Sequence, residues 1–212
     1  KDFDSLILGG VVYDGLGHPG LEADVAVAKD RIARVATGID PARAAEVIDA
    51  RGMAVAPGFI DPHSHTDIEL LVNPRAESKI RQGVTTEIAG NCGYTVFPLT
   101  WRNYEERRRY CDEQYGVPLI WRDIGGFFSE LESRGMAVNY ATFMGHGTLR
   151  GAVFGAQDRP PNSEELAAMK ELIRHNMEMG ALGLSTGLIY VPGCYADHQE
   201  LISLCRETAV YG

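Results

Sequence analysis

The stretch Val55-Ala56-Pro57-Gly58-Phe59-Ile60-Asp61-Pro62-His63-Ser64-His65 divides this chain into two kinds of sequence. From Val55 to Asp61 it is a nearly continuous apolar run, and it then closes on polar residues. A short apolar run of that type reads as a strand buried on both faces, as in a parallel sheet. Residues two apart on an extended chain share a face, so the imidazoles of His63 and His65 are expected to project together. That spacing suits two ligands of one metal ion. The bland alternative is an incidental pair, and the position just after an apolar strand argues against it.

Before this stretch the chain reads as short strands and tight turns. Leu6-Ile7-Leu8 and Val11-Val12-Tyr13 flank Gly9-Gly10. Asp24 to Ala28 and Arg31 to Val35 alternate around Lys29-Asp30, a hairpin signal. Glu46 to Asp49 and Met53 to Val55 flank Ala50-Arg51-Gly52. Residues 1–54 therefore read as the N-terminal part of a β-sandwich, too short to close a core without further strands.

After it, strands alternate with helices, the pattern of an α/β fold with a parallel sheet. A helix is expected around Arg75 to Gln82, closed by Gly83, and then a strand from Val84 to Ala89 ending at Gly90-Asn91-Cys92-Gly93. The charged and aromatic segment 101–135 reads as an inserted helical excursion. A third strand spans Val138 to Met144 and ends at Gly145-His146-Gly147. Ser163 is expected to cap a helix running to about Met179, followed by a fourth strand, Ala181 to Ser185, and a helix from Asp197 to Ala209. Four strand–helix units make half of a (β/α)8 barrel, so residues 55–212 read as the N-terminal half of a TIM-type barrel. In such barrels the polar residues at strand C-termini build the active site, where these polar clusters fall.

Composition narrows the function. The net charge of −9 leaves no nucleic-acid footprint, because Arg107-Arg108-Arg109 lies within an acidic-basic stretch that reads as a solvated helix face. No apolar run approaches the roughly 18 residues of a membrane span, and Lys1-Asp2-Phe3-Asp4 lacks the features of a secretory signal. The four cysteines show neither C-x-x-C spacing nor a disulfide-dense pattern. Reduced thiols in a cytoplasmic protein are the expectation.

Cys92 stands apart from the other cysteines. A small buried thiol is the ordinary reading of such a residue. Here it follows a strand between Asn91 and Gly93, where chain reversal can aim a side chain at the barrel mouth. Asp61 and Asp67 either accept hydrogen bonds from liganding imidazoles or serve as turn residues. His146 reads as a structural histidine that orients its loop, His18 and His175 read as surface or packing residues, and His198, at the start of the last helix, has no metal-partner spacing nearby. Ser185 and Thr186 are candidates for the lining of the same pocket; Ser185 has no His/Asp triad around it.

The segment Pro57 to His65 resembles the first-strand signature of the amidohydrolase superfamily. Gln82-Gly83-Val84-Thr85-Thr86, Gly90-Asn91-Cys92-Gly93, Gly145-His146-Gly147-Thr148-Leu149-Arg150 and Gly180 to Leu188 are similar to the D-aminoacylase (N-acyl-D-amino-acid deacylase) family. The resemblance spans nearly the whole chain and is weakest across Trp101–Gly135. It implies a (β/α)8 barrel joined to a β-sandwich built from both chain ends. It also implies zinc-dependent hydrolysis of N-acyl-D-amino acids, a small-molecule substrate, with one or two Zn²⁺ ions. On the resemblance, the metal ligands are His63, His65 and Cys92, a thiolate being able to bridge two ions. Relatives that bridge their metals through a carboxylated lysine place it at the end of the fourth strand. The lysines here, at positions 1, 29, 79 and 170, all lie elsewhere. Tyr190 is implied in holding the substrate carboxylate, with a tyrosine packed under its loop as the alternative.

The general-base aspartate and two more ligand histidines are expected beyond Gly212, in a complementary C-terminal half of the barrel, so residues 1–212 are expected to hold part of an active site. Alternatives are an amidohydrolase acting on a D-dipeptide or cyclic amide, or a catalytically incomplete fragment.

Overall fold

The computed structural model describes residues 1–212, which form two compact units, Lys1–Gly58 and Phe59–Gly212. The first is a five-stranded sheet around β1 (Phe3–Val12). On one side of β1 lie the antiparallel β2 (Leu21–Ala28) and β3 (Arg31–Ala36). On the other, β4 (Ala44–Asp49) and β5 (Ala54–Val55) run parallel to it.

Two readings of the sequence change here. Gly9-Gly10 is not a turn between strands: β1 runs straight through it, with a bulge between Ile7 and Gly10. Gly9 takes a left-handed φ of 70° and donates its N–H to the buried Asp24 carboxylate at 2.8 Å. A glycine pair breaks a strand pattern on paper, but a bulge accommodates it while the ladder continues. The run Val55–Asp61 is also not one strand. Its start pairs with β1, its end forms β6 (Phe59–Asp61), and Pro57-Gly58 separates them. Proline offers no N–H to a ladder. The Lys29-Asp30 hairpin is as expected, with Lys29 at φ 56°. Leu6, Ala26, Ile39 and Ala44 form the small buried cluster of this unit, while Ile32, Val35, Val47 and Ile48 remain exposed.

In the second unit β6, β7 (Val84–Ala89) and β8 (Asn139–Thr142) form a parallel sheet with Asp61, Glu87 and Tyr140 in one row. The third strand is interrupted at Phe143. Its N–H still reaches Ala89 O (3.0 Å), and the next residue starts β9 (Met144–Gly145), which pairs in parallel with β10 (Leu184–Ser185). Leu182 N–H on Thr142 O (2.9 Å) and Met144 N–H on Gly183 O (2.8 Å) join the two pieces into one succession of strands.

Helices link the strands: α1 (Glu69–Val72) and α2 (Glu77–Ile80) precede β7, and α3 (Tyr104–Tyr115) and α4 (Ile124–Arg134) precede β8. Then α5 (His146–Val153) and α6 (Ser163–Glu178) precede β10, and α7 (His198–Thr208) follows it. The segment 101–135 is well anchored: Cys111, Trp121, Ile124, Phe127 and Leu131 are all in the main core. α6 is capped one residue earlier than expected. Asn162, not Ser163, accepts the Glu165 N–H (2.9 Å), and the Glu165 carboxylate accepts the Asn162 N–H (2.8 Å). Either residue type can cap, but Asn162 is the one that stands three before a glutamate, as the reciprocal box requires. No helix is long and apolar enough to cross a membrane.

Candidate metal centre

The segment after β6 bends at Pro62-His63, and its side chains still alternate as the spacing suggests. Ser64 turns inward, buried, and donates to the Glu87 carboxylate at 3.1 Å. His63 and His65 turn outward together, their rings 5.4 Å apart and edge to face. β7 delivers the third group. Its end reverses through Gly90 (φ 71°), Cys92 (φ 55°) and Gly93 (φ 72°). Cys92 is thus a non-glycine residue in the left-handed region, and the turn places its Sγ 3.4 Å from His63 Nε2. One donor atom from each of His63, His65 and Cys92 lies within 4.8 Å of the others. Tetrahedral zinc with ordinary Zn–N and Zn–S bonds sets its nitrogen and sulfur ligands about 3.6 Å apart. The closest pair meets that spacing, and the set of two imidazoles and a thiol matches what Zn²⁺ binds.

The turn is held from several sides. Asn91, buried, donates through Nδ2 to Ile88 O (2.9 Å) and lies 3.4 Å from Ser64 O, tying the cysteine turn to the histidine segment. Ser185 on β10 accepts the Gly93 N–H at 3.1 Å and donates to Gly90 O. Neighbouring glycines let the strand ends approach closely. A Cβ on Gly187 would stand 2.0 Å from the Cys92 carbonyl oxygen, and one on Gly145 2.6 Å from the Gly93 backbone.

Other expected residues fall elsewhere. The Asp61 carboxylate takes the Lys79 ammonium and the His63 backbone N–H (3.2 Å), not an imidazole, and Lys79 holds it below the ordinary carboxylate range. Asp67 is buried and accepts the Tyr140 hydroxyl at 2.7 Å; burial pushes its pKa up to about 6. His146 is buried away from the cluster, with Nε2 2.8 Å from Glu200, whose other oxygen takes Arg150. Sequence reasoning missed Glu200 and Arg150, because an acid on a later helix carries no local signal of a buried partner. His18 and His175 meet Asp14 (2.6 Å) and Asp123 (3.3 Å) at exposed positions.

A cavity of about 860 Å³ opens beside the cluster, lined by His65, Cys92 and Tyr190 among others. Ser185 and Thr186 do not line it, since Ser185 is engaged in bracing the cysteine turn. The Tyr190 ring is exposed, and its loop is closed by Tyr190 N–H on Gly187 O (3.0 Å) and Cys194 N–H on Tyr190 O (2.9 Å).

Residues 46–197 match the profile described as amidohydrolase family. D-aminoacylase of Alcaligenes xylosoxydans xylosoxydans is 40% identical over 212 residues, 100% of this chain and 43% of that protein. The crystal structure of a D-aminoacylase, a protein also described with a binuclear metal center, superposes with a TM-score of 0.87 at 37% identity, covering 99% of this chain and 44% of the other. N-acyl-D-glutamate deacylase from Bordetella bronchiseptica, solved with zinc and a phosphonate inhibitor, gives 0.87 at 35% identity, covering 99% and 44%. The chain thus spans less than half the length of these relatives. The matched profile extends from β4 through the His63–His65–Cys92 cluster to the start of α7, and the chain belongs to the amidohydrolase family.

Proposed function

We propose that this chain supplies the first three zinc ligands, His63, His65 and Cys92, of an enzyme that hydrolyses N-acyl-D-amino acids. The observation that carries the reading is the convergence of two imidazoles and a thiol from adjacent strand ends. Relatives similar over the whole chain include D-aminoacylase and N-acyl-D-glutamate deacylase, the latter solved with zinc. Bound zinc, one ion or two, would acidify a water molecule and polarise the amide carbonyl.

The chain's own residues would hold the metal and one end of the substrate. His63 and His65 are fixed through the intervening Ser64, and Cys92 through its left-handed turn. Tyr190, which lines the same cavity, would donate its phenolic hydrogen to the substrate carboxylate. The complete protein adds the general-base aspartate, two histidine ligands and the strands that close both the (β/α)8 barrel and the sandwich begun by residues 1–54. The thin core of the first sheet and its exposed Ile32, Val35, Val47 and Ile48 fit a surface awaiting such strands. Four unpaired cysteines fit a reducing cytoplasm.

The test is a panel of N-acetyl-D- and N-acetyl-L-amino acids, a D-dipeptide and a cyclic amide, given to the complete protein with its metal content measured. Zinc in stoichiometric amount and turnover confined to the N-acetyl-D compounds is expected. Turnover of the cyclic amide or dipeptide alone would overturn the assignment.

A further inference from the structure

Glu87 on β7 is a carboxylate with no exposed surface. One of its oxygens, Oε2, accepts the hydroxyls of both Ser64 (3.1 Å) and Thr66, and those hydroxyls lie 2.9 Å from each other. The other oxygen, Oε1, has no hydrogen-bond partner. The Lys79 ammonium on α2 stands 3.9 Å from it and is already bonded to Asp61. Asp24 and Glu200, also buried, differ in using both carboxylate oxygens. The groups around Glu87 all lie within residues 61–87, and its enclosure is complete in this chain.

Burying a carboxylate is unfavourable unless its partners recover the lost hydration, and two neutral hydroxyls with a shared lysine recover it incompletely. An apolar side chain of similar volume is often as stabilising at such a position. What the carboxylate adds is placement. Ser64 and Thr66 stand on either side of His65, two residues apart. Drawing both hydroxyls inward onto one oxygen therefore turns His63 and His65 outward together. The lysine beside Glu87 also holds Asp61, whose carboxylate takes the His63 backbone N–H at 3.2 Å. The two-histidine segment is thus gripped ahead of His63 and on both sides of His65.

We infer that Glu87 is a positioning residue for the metal centre. It sets the rotation of the His63–His65 segment through Ser64 and Thr66, so zinc affinity depends on a carboxylate that is not itself a ligand. The inference rests on the zinc-ligand reading of His63, His65 and Cys92 and adds a residue to it.

The complete protein is compared with its Glu87→Ala, Glu87→Gln and Thr66→Val variants. Zinc affinity is read by competition with a chelator, and ligand geometry by the absorption spectrum of the cobalt-substituted form. Glu87→Ala releases both hydroxyls and should weaken zinc binding by about tenfold or more, as for residues that orient metal ligands, with an altered cobalt spectrum. Glu87→Gln keeps a carbonyl oxygen for the hydroxyls and should stay closer to the parent than to the alanine variant. Thr66→Val removes one grip at nearly constant shape and should weaken zinc by a smaller factor; it carries the test if Glu87→Ala does not fold. A purely structural role would lower the urea stability of the metal-free variants while leaving zinc affinity and the cobalt spectrum unchanged, and that result would overturn the inference. Equal zinc loss in Glu87→Gln and Glu87→Ala would overturn it too. A parent protein that takes up no zinc would remove the metal centre itself, whereas a zinc-binding parent with unaffected variants would remove only the role of Glu87.

Discussion

Replacing Cys92 by alanine and, separately, by glycine distinguishes two roles of one residue. In the proposed centre the thiol is a zinc ligand, and the backbone pays for its placement with a φ of 55°. A side chain in the left-handed region costs about 1 kcal/mol, and glycine avoids that cost. Zinc sites bind with ~10–16 kcal/mol, so losing one ligand forfeits on the order of 4 kcal/mol, or roughly a thousandfold in affinity. Both variants of the complete protein should therefore lose zinc to a chelator at a free-metal concentration about a thousandfold higher than that at which the parent loses it. In excess chelator, where the metal no longer contributes, the glycine variant should be about 1 kcal/mol more stable than the alanine variant in urea. Zinc content by mass spectrometry across a chelator series and paired denaturation curves read the two effects separately. An alanine variant that kept stoichiometric zinc beside the parent would remove Cys92 from the site. Equal apo-stabilities would refute the strain argument alone.

Four further outcomes follow from the geometry. Gly187→Ala puts a Cβ 2.0 Å from the Cys92 carbonyl; a loss of about 3 kcal/mol together with weakened zinc retention is expected, and unchanged zinc affinity would show that the contact does not set the thiol. Glu200→Ala strands buried Arg150 and should cost about 3–5 kcal/mol in urea denaturation, so a loss under about 1 kcal/mol would contradict the burial. Asp67, raised to about 6 by burial, holds a proton in the folded state that the unfolded chain has already released. Stability should thus fall as pH rises from about 4 to 6, by on the order of 3 kcal/mol. Asp67→Asn keeps an acceptor for Tyr140 and should flatten that slope relative to the parent; parallel pH curves would refute it. The three remaining cysteines should not respond alike. Cys194→Ser and Cys205→Ser, at exposed positions, should stay within about 0.5 kcal/mol, whereas Cys111→Ser buries a hydroxyl in the core and should cost about 1–3 kcal/mol in thermal or urea unfolding.

The candidate site was more legible than the fold around it. His63 and His65 declare themselves because period-two alternation is a strictly local rule, and Ser64 obeys it by turning inward. For Cys92 the place between a strand and a Gly-flanked turn left a buried thiol and a ligand both open, and the family resemblance pointed to the ligand. Asn91 and Ser185 were not, since a side chain bonded to backbone 27 or 95 positions away leaves no periodic trace. Segment 101–135 looked peripheral because its charges dominate by count. Its few inward residues, Trp121, Phe127 and Leu131, decide the packing instead. The break at Pro57-Gly58 and the run through Gly9-Gly10 are opposite errors with one cause. Hydrophobicity does not report where the backbone can donate to a ladder, and glycine and proline change that in different directions.

The close contact of Gly93, Gly145 and Gly187 has a consequence for anyone who would redesign the centre. With no side chains between the strand ends, there is nothing to repack around an altered ligand, so new metal preferences must be sought at position 92 itself. There the left-handed backbone restricts the usable alphabet. Asparagine and aspartate enter that region readily, whereas valine, isoleucine and threonine do not. Randomised libraries at this site are thus filtered by conformation before metal chemistry is sampled, and a short oxygen-donor side chain is the route the scaffold leaves open toward harder ions.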